Sequence, residues 1–141
     1  MTAMSLLILS GQEQMPTAID EDHLGRMTLG DRSLEREVLE IFARQTILTL
    51  KRIAGAEPAR AAAAAHTLKG SARGIGAWRV ARAAERLEQA ADGEGDEQAM
   101  NAAIAELEAA SLEVRAAIGA RLGDRWEEPR SDRFGNPSRN C

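Results

Sequence analysis

The stretch from Ala61 to Ala81, AAAAAHTLKGSARGIGAWRVA, combines five consecutive alanines with one histidine and three glycines. Alanine is the best helix former, whereas a glycine in a helix interior costs about 1 kcal/mol relative to it. The stretch therefore predicts a helix, and the presence of glycines in it needs an explanation other than helix propensity. All three glycines follow His66.

His66 has an open face on this predicted helix. Positions three, four and seven residues from His66 share its face. Six positions in and just before the stretch meet this rule: Ala59, Ala62, Ala63, Lys69, Gly70 and Arg73. Four of them are Ala or Gly and two are cationic, so the face is sterically open and basic. The other face supplies the packing surface, which consists of Ala61, Ala64, Ala65, Leu68, Ala72 and Ile75.

The helix has recognisable limits. GAEP at residues 55–58 interrupts the preceding pattern, and Pro58 suits the first position of a helix. We expect the helix to run from about Ala59 to Gly74. Gly74 and Gly76 are then expected to turn the chain sharply.

Three other segments have apolar residues at helical spacing. From Ser33 to about Ile53 these are Leu34, Val38, Ile41, Phe42, Leu48 and Ile53. After the turn they are Ala77, Val80, Ala81, Ala84, Leu87 and Ala91. In the last segment they are Met100, Ile104, Leu107, Val114, Ile118 and Leu122, with Ser111 in the same row. A shorter helical turn is expected from about Asp20 to Met27, and Asp31 or Ser33 is a suitable N-cap for the helix that follows.

These segments predict an all-α fold. Four amphipathic helices joined by short breaks favour an antiparallel four-helix bundle, because short connections make neighbours run in opposite directions. We expect a flexible lead-in over 1–18, the bundle with a short N-terminal helix over 19–122, and a disordered tail over 123–141. Trp126 and Phe134 in the tail are interpreted as incidental rather than as partner anchors.

Composition limits the function. The chain has 141 residues and a formal charge of −4, which argues against binding of nucleic acid or anionic membrane by bulk electrostatics. The apolar run from Leu6 to Leu9 is too short for a signal peptide or a membrane span. The lone Cys141 cannot form an internal disulfide. These features favour a cytoplasmic protein, and the polar outer faces of the helices favour a monomer.

The residues around His66 suit phosphoryl chemistry. A neutral imidazole is a nucleophile that titrates near neutrality. An ammonium at Lys69, one turn away, could neutralise the oxygens of a phosphoryl group on that imidazole. Gly70 removes the Cβ that would stand between the ring and a large partner. His23 has no such surroundings and is interpreted as structural.

The sequence HTLKGSARGIGAWRVARAAERLE, from His66 to Glu88, resembles the signature of histidine-containing phosphotransfer (Hpt) domains. That signature is His, any residue, Leu-Lys-Gly, two small residues, two of any kind, an aliphatic residue and Gly. The matching residues are His66, Leu68, Lys69, Gly70, Ser71, Ala72, Ile75 and Gly76, continued by Val80, Ala84, Leu87 and Glu88. The departures are Ile75 where leucine is usual and Gly74 at a variable position. With the preceding GDRSLEREVLEIFARQ, the resemblance covers roughly Ile19 to Leu122.

The resemblance implies a phosphorelay protein. His66 would accept a phosphoryl group from the aspartyl phosphate of one response-regulator receiver domain and pass it to the aspartate of another. Lys69 would be the electrostatic partner of the phosphoryl oxygens, and Gly70 the clearance position. Receiver domains and a hybrid or histidine kinase would be the partners. Mg²⁺ would be bound by the receiver, so the chain would need no cofactor or metal and would have no kinase activity of its own.

Charge also favours a docking surface near His66. Between Ala59 and Ala91 six basic residues face two acidic ones, a local balance of +4: Arg60, Lys69, Arg73, Arg79, Arg82 and Arg86 against Glu85 and Glu88. Such a patch would attract the acidic active-site rim of a receiver. Among the residues that share the histidine's face, Ala62, Ala63 and Arg73 are the predicted partner-binding residues.

Two alternatives belong to other classes. The first is a phosphorylation-independent helical adaptor that binds receiver or kinase domains, although His66, Lys69 and Gly70 are all present. The second is an enzyme that uses His66 as a general base or nucleophile. That enzyme would need a concave pocket and an orienting carboxylate, and the nearest acids, Glu85 and Glu88, lie on the following helix with no spacing that compels contact.

Overall fold

The computed structural model of the protein describes residues 17–93, 96–123 and 126–129. Within these ranges the chain forms five helices and no strand: α1 (Glu21–Met27), α2 (Arg32–Ile53), α3 (Pro58–Ile75), α4 (Trp78–Asp92) and α5 (Glu97–Leu122). The predicted all-α class is confirmed. None of these helices is both long and apolar enough to cross a membrane. Most of the predicted lead-in, and the tail beyond 129, lie outside the described residues.

The helices α2 to α5 form a ring of neighbours. Each packs against the next in sequence, and α5 packs back onto α2. Short connections at 54–57, 76–77 and 93–96 make successive helices run in opposite directions. The short α1 packs on α3. The result is the expected antiparallel four-helix bundle with a short N-terminal helix.

Local sequence signals explain where the helices begin. Asp20, Asp31 and Asp96 are the N-cap residues of α1, α2 and α5. Their side chains accept hydrogen bonds from backbone N–H groups in the first turn, which would otherwise lack partners. Pro58 begins α3, where its missing N–H costs no helical hydrogen bond.

Small side chains build much of the core. The buried residues of α3 are Ala61, Ala65, Leu68, Ala72 and Ile75, and those of α4 are Val80, Ala81, Ala83, Ala84 and Leu87. Leu39 and Phe42 of α2 and Leu107, Val114 and Ile118 of α5 complete the interior. Alanine-rich faces let α3 and α4 pack closely, which places the polar side chains beside their seam within reach of one another.

The buried face of α2 differs from the expected one. Leu39, Phe42 and Ala43 are buried, whereas Leu34 and Ile41 are 39% and 54% exposed. Successive residues of a helix are about 100° apart, so Ile41 lies well round the helix from Phe42. The expected row of apolar residues was therefore wrong at these two positions, and Ile41 is a large apolar side chain at the surface.

The turn between α3 and α4 is formed by Gly76 and not by Gly74. Gly76 ends α3 with φ of 83°, in the left-handed region, whereas Gly74 lies inside the helix. The Gly76 carbonyl accepts a 2.9 Å hydrogen bond from the Asp20 N–H. A Cβ on Gly76 would lie 2.9 Å from the Asp20 Cβ and 3.0 Å from its carbonyl oxygen. The predicted turning role of Gly74 is corrected accordingly.

Residues 126–129 lie against α5. A Cβ on Gly119 would lie 2.9 Å from the Trp126 ring, and Trp126 packs against the hydrophobic core. The Glu128 carboxylate accepts a 3.0 Å hydrogen bond from the Arg115 guanidinium. Residues 126–129 of the predicted tail over 123–141 therefore contact α5, and Trp126 packs on its own chain.

We expect Gly76→Ala and Gly74→Ala to have opposite effects on stability. Alanine at 76 should lower the free energy of unfolding by at least about 1–2 kcal/mol, the cost of a left-handed conformation for a side-chain-bearing residue, and the clash with Asp20 adds to this. Alanine at 74 meets no atom within 4 Å and should raise it by about 0.5–1 kcal/mol. Urea unfolding of both variants measures the difference. Equal stabilities would contradict the turn assignment.

Candidate functional site

His66 lies near the middle of α3 with its side chain 70% exposed. The turn before it carries Ala62, which is half-buried, and Ala63, which is exposed. Neither has a side chain long enough to cover the imidazole. The structure therefore leaves the ring accessible to a large partner, and the ring does not sit in an enclosing pocket.

Glu88 of α4 contacts both His66 and Lys69. Its Oε2 lies 3.1 Å from His66 Nδ1, and its Oε1 lies 2.8 Å from Lys69 Nζ. The Glu88 and Lys69 side chains are only 24% and 13% exposed. One carboxylate thus links the imidazole and the ammonium, and it is the orienting carboxylate that the sequence did not place beside His66.

The short length of the connection between α3 and α4 is the sequence feature from which the position of Glu88 beside His66 could have been predicted. In an antiparallel helix pair, residues at similar distances from the turn lie at the same level. His66 precedes Gly76 by ten residues, and Glu88 follows Ala77 by eleven. A two-residue turn therefore sets the two side chains level, although the exact turn had to be known first.

Glu88 is held as a carboxylate. Its partial burial opposes ionisation, but hydrogen bonds from Lys69 and His66 outweigh this and hold the pKa of Glu88 below its usual value of 4.5. An ionised carboxylate has only acceptors, so His66 Nδ1 must donate the hydrogen in this contact. In the neutral ring Nε2 then keeps its lone pair.

Gly70 occupies open space. A Cβ added there would meet no atom within 4 Å, so packing within the chain does not require a glycine at this position. Lys69 is less open than expected, because its ammonium contacts Glu88 rather than projecting freely. A role toward a phosphoryl group must therefore be compatible with this ion pair.

The expected basic patch is largely neutralised. Arg73 lies 3.9 Å from Glu85, Arg79 lies 2.7 Å from Glu113, and Arg86 pairs with Glu106. Two of these carboxylates belong to α5, which the charge count over 59–91 left out. The surplus of +4 is therefore not a property of the folded surface. Arg73 itself remains 54% exposed beside the histidine's face.

His23 has a structural role. Its Nε2 lies 2.9 Å from the Arg73 carbonyl oxygen at the end of α3. Its ring contacts Trp78, with centroids 5.0 Å apart and planes at 57°. Trp78 in turn donates a 3.0 Å hydrogen bond from Nε1 to Asp20. These contacts hold α1 against the turn between α3 and α4.

The fold and the site define the class of protein. It is a helical bundle with an accessible histidine on an alanine-rich helix, and a carboxylate of the neighbouring helix orients that histidine. A family model described as Hpt domain matches residues 34–117. The match covers more than half of the chain, and the protein belongs to this family. No curated protein matches the chain. No solved structure matches it either.

Membership of the family sets the general activity. Hpt domains carry out histidine phosphotransfer in phosphorelays, as phosphocarrier modules rather than kinases. They interact with receiver and kinase domains of two-component systems. Among residues 17–93, 96–123 and 126–129, no group of three or more His, Cys, Asp or Glu side chains is placed to hold a metal ion.

Removal of the Glu88 carboxylate should change the state of the His66 ring. In Glu88→Ala the neutral imidazole should lose its bias toward the Nδ1–H form, because nothing on α4 then accepts that hydrogen. Nitrogen-15 chemical shifts of the neutral ring report the two forms. Glu85→Ala is the matched control and should leave them unchanged. An unaltered Nδ1–H signal in Glu88→Ala would exclude the orienting role.

Proposed function

We propose that the protein relays a phosphoryl group between aspartates of response-regulator receiver domains, with His66 as the phosphorylated residue. The observation that carries this proposal is the Glu88–His66 contact. It holds Nδ1 as a donor and leaves Nε2, on a ring that is 70% exposed, as the nucleophilic atom. Family membership supports the reaction class, and the geometry supports the choice of residue and ring nitrogen.

The transfer step needs no external base. The lone pair of Nε2 attacks the phosphorus of the receiver's aspartyl phosphate, a P–N bond forms, and the P–O bond to the aspartate breaks with release of its carboxylate. The Nδ1 proton stays in place, so the phosphorylated ring is a cation. The Glu88 carboxylate lies where it stabilises that cation. Return of the phosphoryl group to a second aspartate reverses each change.

Lys69 can assist without leaving Glu88. An ammonium has three N–H donors, and the contact with Oε1 uses one of them. The remaining donors can bind an oxygen of a phosphoryl group in transfer between Nε2 and the receiver, where charge accumulates. The ion pair also limits the rotamers of a flexible side chain. Lys69 is therefore proposed as a positioned partner of the phosphoryl group, while Mg²⁺ is carried by the receiver.

The proposed docking surface extends from α3 onto α2. On α3 it includes the small residues Ala62, Ala63 and Gly70, with Arg73 at one end. A shallow groove beside them is lined by residues of both helices: Ile41, Arg44, Gln45, Leu48, Thr49, Arg52, Ala64 and Thr67. The exposed Ile41 gives this surface an apolar centre. Arg44 and Arg52 give it a positive edge, which suits a receiver whose active-site rim is acidic.

Phosphoryl transfer to His66 is tested with a purified receiver that carries radiolabelled aspartyl phosphate in the presence of Mg²⁺. Wild type should acquire label that is labile in acid and stable in base, and His66→Gln should acquire none. Lys69→Ala should accept label at least about tenfold more slowly, a loss of about 1.4 kcal/mol of transition-state stabilisation. His23→Gln is the control histidine and should accept label at the rate of wild type.

Label on His66→Gln would reject His66 as the acceptor. Stable receiver binding with no transfer to wild type, under conditions in which another Hpt protein is labelled by the same receiver, would instead support the adaptor. Circular dichroism of each variant shows whether the bundle is intact, so that a folding defect is not taken for a chemical one.

Gly70→Leu should weaken receiver binding by about tenfold or more, equivalent to about 1.4 kcal/mol, because the side chain would occupy the space that the receiver needs. The fold should persist, since the position is open within the chain. Ala109→Leu, at an exposed position on α5, is the matched control and should bind normally. Calorimetric titration with a receiver measures both. Undiminished binding by Gly70→Leu would remove position 70 from the interface.

A further inference from the structure

The cations on the two sides of His66 differ in whether they are paired. On the side of α4, the Lys69 ammonium is bound to the Glu88 carboxylate. On the side of α2, Arg52 and Arg60 are both exposed, and no carboxylate within the described ranges contacts either of them. Positive charge that remains available to a partner therefore lies on the α2 side of the histidine.

Arg52 and Arg60 lie at the same end of the groove between α2 and α3. Arg52 is the last residue but one of α2, and Arg60 is the third residue of α3, so the short connection at 54–57 sets them at the same level. Arg52 lines the groove together with Ala64. Arg60 precedes Ala64 by four residues and therefore shares its face of α3. The two arginines thus form a pair, one on each helix.

Small residues connect His66 to this groove. At about 100° per residue, Gly70 and Ala63 lie about 40° and 60° round α3 from His66, and Thr67 lies about 100° round in the same direction. Thr67 lines the groove, and a Cβ on Gly70 would meet no atom within 4 Å. Lys69 lies on the opposite side of His66, toward α4. A partner that contacts the imidazole therefore has an open path toward α2.

The acidic side chains closest in sequence do not neutralise the arginines of the groove. Glu57, the N-cap residue of α3, makes no side-chain cap hydrogen bond, and it forms no ion pair with Arg60 in the described structure. The Glu40 carboxylate is bound to Arg36. Arg44, which also lines the groove, contacts the Glu40 carbonyl oxygen at 3.5 Å. The groove therefore keeps positive charge that a carboxylate of a partner can neutralise.

We propose that Arg52 and Arg60 select among receivers by binding an acidic side chain that lies outside the receiver's active site. This rests on the function proposed above, in which the receiver's aspartate meets Nε2 of His66. Arg60 precedes His66 by six residues, which is about 9 Å along the helix axis. The acidic side chain that binds the arginine pair is therefore at least about 9 Å from the phosphorylated aspartate. A receiver with a neutral or basic residue at that place associates more slowly.

The arginine pair acts on association and not on the transfer step. Attraction between exposed charges raises the rate at which two proteins associate. Salt screens this attraction, because the Debye length falls from about 30 Å at 0.01 M to about 3 Å at 1 M ionic strength. Arg60 is about 9 Å along the helix from His66, too far to contact a phosphoryl group on Nε2. Loss of either arginine should therefore leave the rate of the bound complex unchanged.

Rapid-quench kinetics of the full chain test this, with a receiver that carries labelled aspartyl phosphate and labels the wild type. Arg52→Glu and Arg60→Glu should each lower the second-order rate constant of transfer about tenfold at low salt. The rate at saturating receiver should not change, and the difference should disappear at about 1 M salt. Arg82→Glu is the matched control, since Arg82 is exposed and about 120° round α4 from Glu88. It should behave as wild type.

Charge reversal on the receiver identifies the contact. Exposed acidic residues at least about 9 Å from its phosphorylated aspartate are changed to lysine one at a time, and one such change should restore transfer to Arg60→Glu. An equal loss in Arg82→Glu, a loss that persists at high salt, or the lack of any restoring change would overturn the proposal. Wild-type rates in both arginine variants would reject the arginine pair and leave the relay intact. No transfer to wild type would instead reject the relay itself.

Discussion

The close approach of Gly76 to Asp20 is the constraint on which the site depends. The left-handed φ at Gly76 ends α3, and α4 begins only two residues later. A connection this short allows little freedom in how far α4 slides along α3. The same turn is held from outside by the Asp20 N–H and by the Trp78 ring. Fixed in this way, α4 sets Glu88 level with His66.

The arrangement of the site depends on one carboxylate, that of Glu88, which contacts two side chains at once, more than on any isolated ion pair. Exposed ion pairs contribute about 0–1 kcal/mol, because solvent screens them and side-chain entropy opposes them. The Arg79–Glu113 and Arg86–Glu106 pairs belong to this group, since all four side chains are more than a third exposed. Glu88 and Lys69 are better covered and share one carboxylate with His66. Glu88 therefore orients the imidazole and the ammonium at the position where the proposed phosphoryl transfer takes place.

Much of the fold was predictable because its signals are local. Caps such as Asp31, the proline that begins α3 and the apolar rows of α4 and α5 act within a few residues of themselves. The errors involve relations between helices. Glu88 was not placed beside His66, and the α5 acids were not counted against Arg79 and Arg86, because both depend on which helices are neighbours. Gly74 was misassigned because a glycine inside a helix and a glycine at its end give the same sequence signal.

The glycines of α3 have two different roles: one is needed for the stability of the fold, and the others leave the surface near His66 open to a partner. Gly76 is required by the fold, but Gly70 and Gly74 lie within the helix where an added Cβ meets nothing. Each costs the free protein about 1 kcal/mol relative to alanine, and no contact within the described chain offsets that cost. Both follow His66 at steps of four, so they extend the open face of the histidine along the helix. Glycine at positions 70 and 74 lowers stability and leaves this surface free of side chains. This is consistent with close approach by a second protein, because the missing Cβ atoms are an advantage only in such a complex.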